Sequence, residues 1–193
     1  MIFQHRMRKF AEGGGFSLVE LLVVISIIGL LAGLTSVAVS RAMDSGKNAK
    51  AKSEAMAIVS AVKAYKQEYG RFPGDFSQTN FMFNSNSMPS ILNLINVLGG
   101  ESTTSLDTST NAANPKGVRF LEGAKGGTNG MPDPWKNQYV VIVDTAETGE
   151  IAYTNAGTAI NLKLSVLAVS YGKDGLPDAA GVKKDDIFST DLK

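Results

Sequence analysis

Residues 15–40 read Gly15-Phe16-Ser17-Leu18-Val19-Glu20 followed by LLVVISIIGLLAGLTSVAVS, and the reading of this stretch governs the rest of the chain. From Leu21 to Ser40 there are twenty consecutive residues without a charge. As a helix they rise about 30 Å, the thickness of a bilayer's hydrocarbon core. Before them, residues 1–15 carry Arg6, Arg8 and Lys9 against Glu12 and end in Gly13-Gly14-Gly15. A basic segment ahead of a span stays in the cytoplasm, so the expected topology is N-terminus in, C-terminus out. An ordinary secretory signal fits poorly. Its apolar region has roughly 7–15 residues with a small-residue break after it, whereas here the run is longer and the glycines come first.

Glu20 is the anomaly. A carboxylate inside an apolar helix costs about 3 kcal/mol in a bilayer unless it lies at an interface or finds a partner. A plain membrane anchor with its glutamate at the headgroups is one reading. The octet Gly15-Phe16-Ser17-Leu18-Val19-Glu20-Leu21-Leu22, behind a basic leader, resembles the processing signal of type IV pilins and type II secretion pseudopilins. The resemblance implies that a prepilin peptidase cleaves between Gly15 and Phe16 and that Phe16 becomes N-methylated. It also implies that the apolar helix stays in the mature chain and that Glu20 pairs with a neighbouring subunit's Phe16 ammonium in a homopolymer. Many relatives have a proline at the position of Val37; this chain does not.

Beyond the apolar run, Ala51, Ala55, Ile58, Val62, Tyr65 and Tyr69 recur at steps of three and four, the signature of an amphipathic helix. No proline interrupts Phe16 to Tyr69, so one helix of about 80 Å is expected, ended by Gly70 and Pro73. The resulting organisation is a leader over 1–15, a membrane or filament-core helix over 16–40, its amphipathic outer half over 41–72, a variable loop region over 73–132 and a β-sheet with an acidic loop over 133–193. Within the loop region, Pro89 and Gly99-Gly100 bracket an apolar island that predicts a short helix near 90–98. After Asp133-Pro134-Trp135, the stretches Tyr139–Val143, Glu150–Thr154 and Lys163–Tyr171 predict three antiparallel strands, the first two flanking a turn over Ala146–Gly149. The expected fold is α+β: a long N-terminal helix packed on a small antiparallel sheet, as in pilins. The Asp-Pro-Trp segment resembles that of major pseudopilins, where the tryptophan seats the sheet.

The last loop places Asp174, Asp178, Asp185 and Asp186 within thirteen residues. Oxygen ligands on a glycine-containing loop suit calcium, although the spacing is not that of an EF-hand and solvated acidic loops are common. The run Ser170-Tyr171-Gly172-Lys173-Asp174-Gly175 with a later Asp185-Asp186-Ile187 resembles the calcium loop of major pseudopilins. That resemblance carries Asp174 and Asp186, and less strongly Asp185, as ligands of a structural calcium ion. Lys183 and Lys184 in the same loop oppose a tight site.

The chain has 193 residues, no cysteine, one histidine and a formal net charge of +1. Without cysteine there is no disulfide framework, thiolate metal site or cysteine nucleophile. The near-neutral charge gives no reason to expect nucleic acid as a partner. Cleavage after Gly15 would also remove His5, leaving little for hydrolytic chemistry; Ser60–Lys63 and Ser170–Lys173 match Ser-x-x-Lys without its companion motifs. No enzyme activity is expected. The resemblance instead implies a subunit of a type II secretion pseudopilus, working with minor pseudopilins, an inner-membrane assembly platform and its ATPase. The alternatives are a type IV pilin of a surface pilus and a monomeric anchored domain. The absence of the cysteine pair common in type IV pilins favours the pseudopilin.

Overall fold

The computed structural model describes residues 15–74, 80–86, 90–101, 106, 113–124, 130–155, 158–178 and 185–190. Leader residues 1–14, Pro89, Lys183 and Lys184 lie outside the described residues. The chain divides into two compact units, Met1–Met43 and Asp44–Lys193. Helix α1, Leu18–Tyr69, contributes to both, and it is helical through Val37.

In the first unit α1 buries none of its described side chains: Leu21, Val23, Ile25, Ile28, Leu31 and Leu34 are all exposed. An all-round apolar surface of this length demands a non-aqueous surrounding, and the segment is long and apolar enough to cross a membrane. In the second unit the same helix becomes one-sided. Ala51, Ala55, Ile58, Ala61, Val62 and Tyr65 are buried, whereas Met56, Ser60, Lys63 and Gln67 are exposed. Gly70 ends the helix in the left-handed region at φ +72, where its N–H donates to the Lys66 carbonyl at 2.8 Å.

Two sheets follow. The larger has the order β1 (Phe81–Phe83), β2 (Val140–Val143), β5 (Val166–Ser170), β6 (Ile187–Phe188), antiparallel throughout. The smaller is a hairpin of β3 (Ile151–Asn155) and β4 (Thr158–Leu162). Every residue of β2 and β5 is buried. The reason is a three-layer arrangement: Phe81, Phe83, Val141, Val143, Val166 and Ala168 pack on one side with α1 and with helix α2 (Ile91–Leu98). Val140, Ile142, Leu167 and Val169 pack on the other side with Ile151 and Tyr153 of the hairpin.

This corrects the expected three-stranded sheet. The strands read at Tyr139–Val143 and Glu150–Thr154 do not pair with each other; the first pairs with Phe81–Phe83 and Val166–Ser170, the second with Thr158–Leu162. The turn between them diverts the chain. Buried Asp144 accepts from Thr148 N at 3.0 Å, Thr148 Oγ1 at 3.1 Å and Gly149 N at 2.6 Å, with Glu147 and Gly149 at positive φ. The chain then enters β3 with Ile151 and Tyr153 directed at the far face of the larger sheet. Trp135 is the second correction, because it is half-buried and belongs to neither core cluster.

Polar groups complete the packing on the helix side. Asn114, fully buried, donates from Nδ2 to the Val97 and Val118 carbonyls at 2.8 Å each and accepts from Val118 N and the Tyr69 hydroxyl. Phe120 N and Leu121 N donate to the Leu98 carbonyl at 2.8 and 2.9 Å, which closes the end of α2. The Tyr139 hydroxyl donates to Glu54 Oε2 at 2.7 Å and ties β2's entry to α1; burial, followed by this bond, raises its pKa.

Because β5 is covered on both faces, Leu167→Ala should cost about 3 kcal/mol in chemical denaturation. Met82→Ala, on a partly exposed edge position, should stay within about 0.5 kcal/mol.

Candidate functional site

Two places carry chemistry: the start of α1 and the loop between β5 and β6.

At the helix start, Ser17-Leu18-Val19-Glu20 forms a capping pair. The Ser17 backbone N–H donates to Glu20 Oε2 at 3.0 Å, while Ser17 Oγ accepts from Val19 N at 3.3 Å. The first helical bond, Leu21 N to the Ser17 carbonyl, measures 3.1 Å. Glu20 therefore lies in the first turn, where a carboxylate also opposes the positive end of the helix dipole. Gly15, Phe16 and Glu20 are all exposed, Phe16 by 80%. The Ser-x-x-Glu spacing is the sequence signal for this local bond, which gives Glu20 a partner within its own chain.

The acidic loop is built on Asp133. Its carboxylate, buried in the Asp-Pro-Trp turn, accepts from Trp135 N at 2.9 Å, Asn137 N at 2.8 Å and the Ser170 hydroxyl at 2.6 Å. Gly172 N donates to Ser170 Oγ at 3.2 Å, and Asn137 Nδ2 donates to the Gly172 carbonyl at 2.7 Å. Asp133, and not Trp135, thus seats the sheet end. The signal for it was Asp before Pro, the composition of a side-chain-closed turn. Gly172, at φ +62, faces the Asp185 carbonyl so closely that a Cβ would stand 2.3 Å from its oxygen. Only glycine lets the two arms of the loop meet here.

Beyond Gly172 the carboxylates fold onto backbone N–H groups. Asp185 Oδ2 accepts from Lys173 N at 2.9 Å, Asp186 Oδ2 from Asp178 N at 3.0 Å, and Asp178 Oδ1 from Asp185 N at 3.1 Å. Asp178, Asp185 and Asp186 bring one oxygen each within 4.8 Å of the others. Asp174 stands outside this group, exposed, with Oδ1 accepting from Leu176 N at 2.9 Å. Asp178 was visible among the four carboxylates of the loop, but the spacing did not reveal that the chain returns through it. Asp185 Oδ1 and Asp186 Oδ1 are buried and accept no hydrogen bond from the described residues. Burial raises the Asp186 pKa from 3.8 to about 6; the Asp178 backbone bond opposes this, and the charges of Asp178, Asp185 and Asp174 add to it. Three carboxylates that converge in this way offer the oxygen donors a hard divalent cation takes.

Residues 14–36 match the family model of the prokaryotic N-terminal methylation motif. The match includes Gly15, Phe16 and Glu20. No curated protein and no solved structure matches the chain. With the apolar segment of α1, the motif supports a type IV pilin-like protein anchored in the inner membrane and processed by a prepilin peptidase.

Asp133→Ala strands three donors and should cost about 3 kcal/mol, Ser170→Ala about 1 kcal/mol, by denaturant titration. Asp186 holds its proton more tightly folded than unfolded. Its contribution is therefore present at low pH and is lost as pH rises from about 4 through about 6. In chelator, the melting temperature should fall over that interval, and Asp186→Asn should flatten the fall.

Proposed function

We propose that this chain is a structural subunit of a type II secretion pseudopilus, polymerising through its N-terminal helix to support protein export across the outer membrane. The observation that carries the reading is the methylation motif over residues 14–36, with Glu20 the single charged side chain from Phe16 to Ser40. Cleavage between Gly15 and Phe16 frees an ammonium at the end of α1. Glu20 Oε2 is engaged by Ser17 N–H, and its second oxygen is left to meet the Phe16 ammonium of a neighbouring copy. Opposite charges in an apolar surrounding attract strongly and fix the register of stacking. The same apolar surface serves in the bilayer and in the filament core, so extraction from one to the other keeps it out of water. The chain's work is assembly, without bond chemistry, and its partners are further copies, minor pseudopilins, prepilin peptidase and an inner-membrane platform with its ATPase. The soluble unit then faces the periplasm.

The Asp-Pro-Trp turn and the acidic loop favour the pseudopilin over a surface type IV pilin, which shares the methylation motif. Asp178, Asp185 and Asp186 would hold a structural calcium ion, with Asp174 at the loop tip. When bound, the ion would take up the Oδ1 atoms of Asp185 and Asp186, which accept no hydrogen bond from the described residues.

The mature protein extracted from membranes should begin at Phe16 and carry one added methyl group by intact mass; an uncleaved chain would overturn the filament reading. Glu20→Gln keeps an oxygen for the Ser17 cap but loses the charge. It should be processed normally yet weaken subunit association by about 3 kcal/mol, on the order of a hundredfold, in filament pelleting. Short periplasmic rods would support the secretion reading, and long surface fibres the pilus. Calcium should raise the melting temperature of the detergent-solubilised protein. Asp178→Asn should diminish that response more than Asp174→Asn does, and the absence of any calcium response would leave the loop merely acidic.

A further inference from the structure

The cations flanking the apolar segment are not where topology alone needs them. Three basic residues, Arg6, Arg8 and Lys9, precede it, and four, Arg41, Lys47, Lys50 and Lys52, follow within twelve residues of Ser40. The rule that places basic residues on the cytoplasmic side favours clustering before the span, not after it. Processing would sharpen the imbalance, since the leader cations leave and the later ones stay. Asp44 is the only acidic residue from Arg41 to Lys52, whereas residues 16–193 as a whole hold 16 basic against 17 acidic side chains.

Three of these cations, Arg41, Lys47 and Lys50, have little to do inside the fold. Arg41 and Lys50 are exposed and Lys47 is half-buried. Among the described residues Arg41 and Lys47 make no ion pair. Lys50 reaches Glu54 only at 3.8 Å, its side chain 66% exposed, and Glu54 already accepts from Tyr139. A long pair of this kind contributes little to stability. What distinguishes the segment is its place directly beyond an apolar stretch of membrane length. Aliphatic stems there lie along the apolar boundary while the charged heads sit at headgroup phosphates.

We infer that Arg41, Lys47 and Lys50 bind anionic phospholipid headgroups on the side of the membrane where the folded unit lies. The inference rests on the reading that residues 16–40 occupy a bilayer. It gives the unassembled subunit a second hold on the membrane besides its apolar helix, one that must be released when the subunit enters a filament.

The test uses the processed full-length chain, which lacks the leader cations, in mixed micelles containing phosphatidylglycerol or phosphatidylcholine. Native mass spectrometry counts the retained lipids. Phosphatidylglycerol should be retained preferentially, with the preference falling about fivefold for each cation removed and on the order of a hundredfold for Arg41→Ala, Lys47→Ala and Lys50→Ala together. A charge-matched variant at exposed sites farther along the chain, Lys63→Ala, Lys136→Ala and Lys163→Ala, should keep the preference. Equal retention of both lipids by the unaltered chain, or an unchanged preference in the first triple variant, would overturn the proposal. So would loss of filaments in that variant with lipid preference intact, which would place the cations against an acidic surface of a neighbouring subunit. Release of the chain from membranes by alkaline carbonate would overturn the bilayer reading itself, a separate result from any lipid preference.

Discussion

The folded unit is organised on a single stripe of α1. Ala51, Ala55, Ile58, Ala61, Val62 and Tyr65 are buried at successive turns, and their burial is what α2 and the larger sheet are packed to achieve. The small residues matter as much as the large ones. Alanine at 55 and 61 keeps the helix slim where it meets the core, while Ile58, Val62 and Tyr65 each withdraw enough apolar surface to contribute about 2 kcal/mol. Remove the stripe and β2 and β5 keep their hydrogen bonds but lose cover on one face.

The larger sheet meets a second demand on its other side. Its central strands have no polar face at all, so water must be excluded from both, and the β3–β4 hairpin is the element that does it. Polar side chains hold these layers at their margins. Asp133 anchors the β5 end, Asp144 the turn into the hairpin, and Asn114 the loop below α2, each buried and each hydrogen-bonded. In a chain without cysteine, such satisfied buried polar groups take the part that covalent staples have in disulfide-bonded domains. The acidic loop departs from this pattern, since two of its buried oxygens have no donor among the described residues, and that imbalance is the physical basis for the proposed cation.

At the other end of the chain one carboxylate has a local role in the structure and a longer-range one in the proposed assembly. Glu20 closes the first turn of α1 through Ser17, which lowers the cost of carrying it in an apolar segment. Assembly as proposed would add the neighbour's ammonium to a carboxylate that is already oriented. The cations beyond Ser40 then mark the opposite boundary of the segment, so that each end of the apolar helix has a polar partner suited to its surroundings.

By itself the sequence determined whatever depends on neighbours along the chain. The uncharged run from Leu21 to Ser40, the three-four spacing from Ala51 to Tyr69, the stop at Gly70 and the processing octet are periodic or contiguous, and the α+β class follows from them. Even the buried strands were visible, β2 as an unbroken valine and isoleucine run and β5 as a stretch rich in valine and leucine. Which strand pairs with which was decided only by the tertiary structure, because a run buried on both faces has no alternation to fix its partner or its register. The Asp144 turn sends β3 away from β2, and nothing in the composition of either strand forbids the hairpin that does not form. The carboxylate group was likewise settled in space: Asp178 joins Asp185 and Asp186 because Gly172 lets the two arms of the loop touch, while Asp174, nearer in motif, turns to Leu176. Convergence of distant residues depends on how the layers stack, and a one-dimensional pattern does not contain that information.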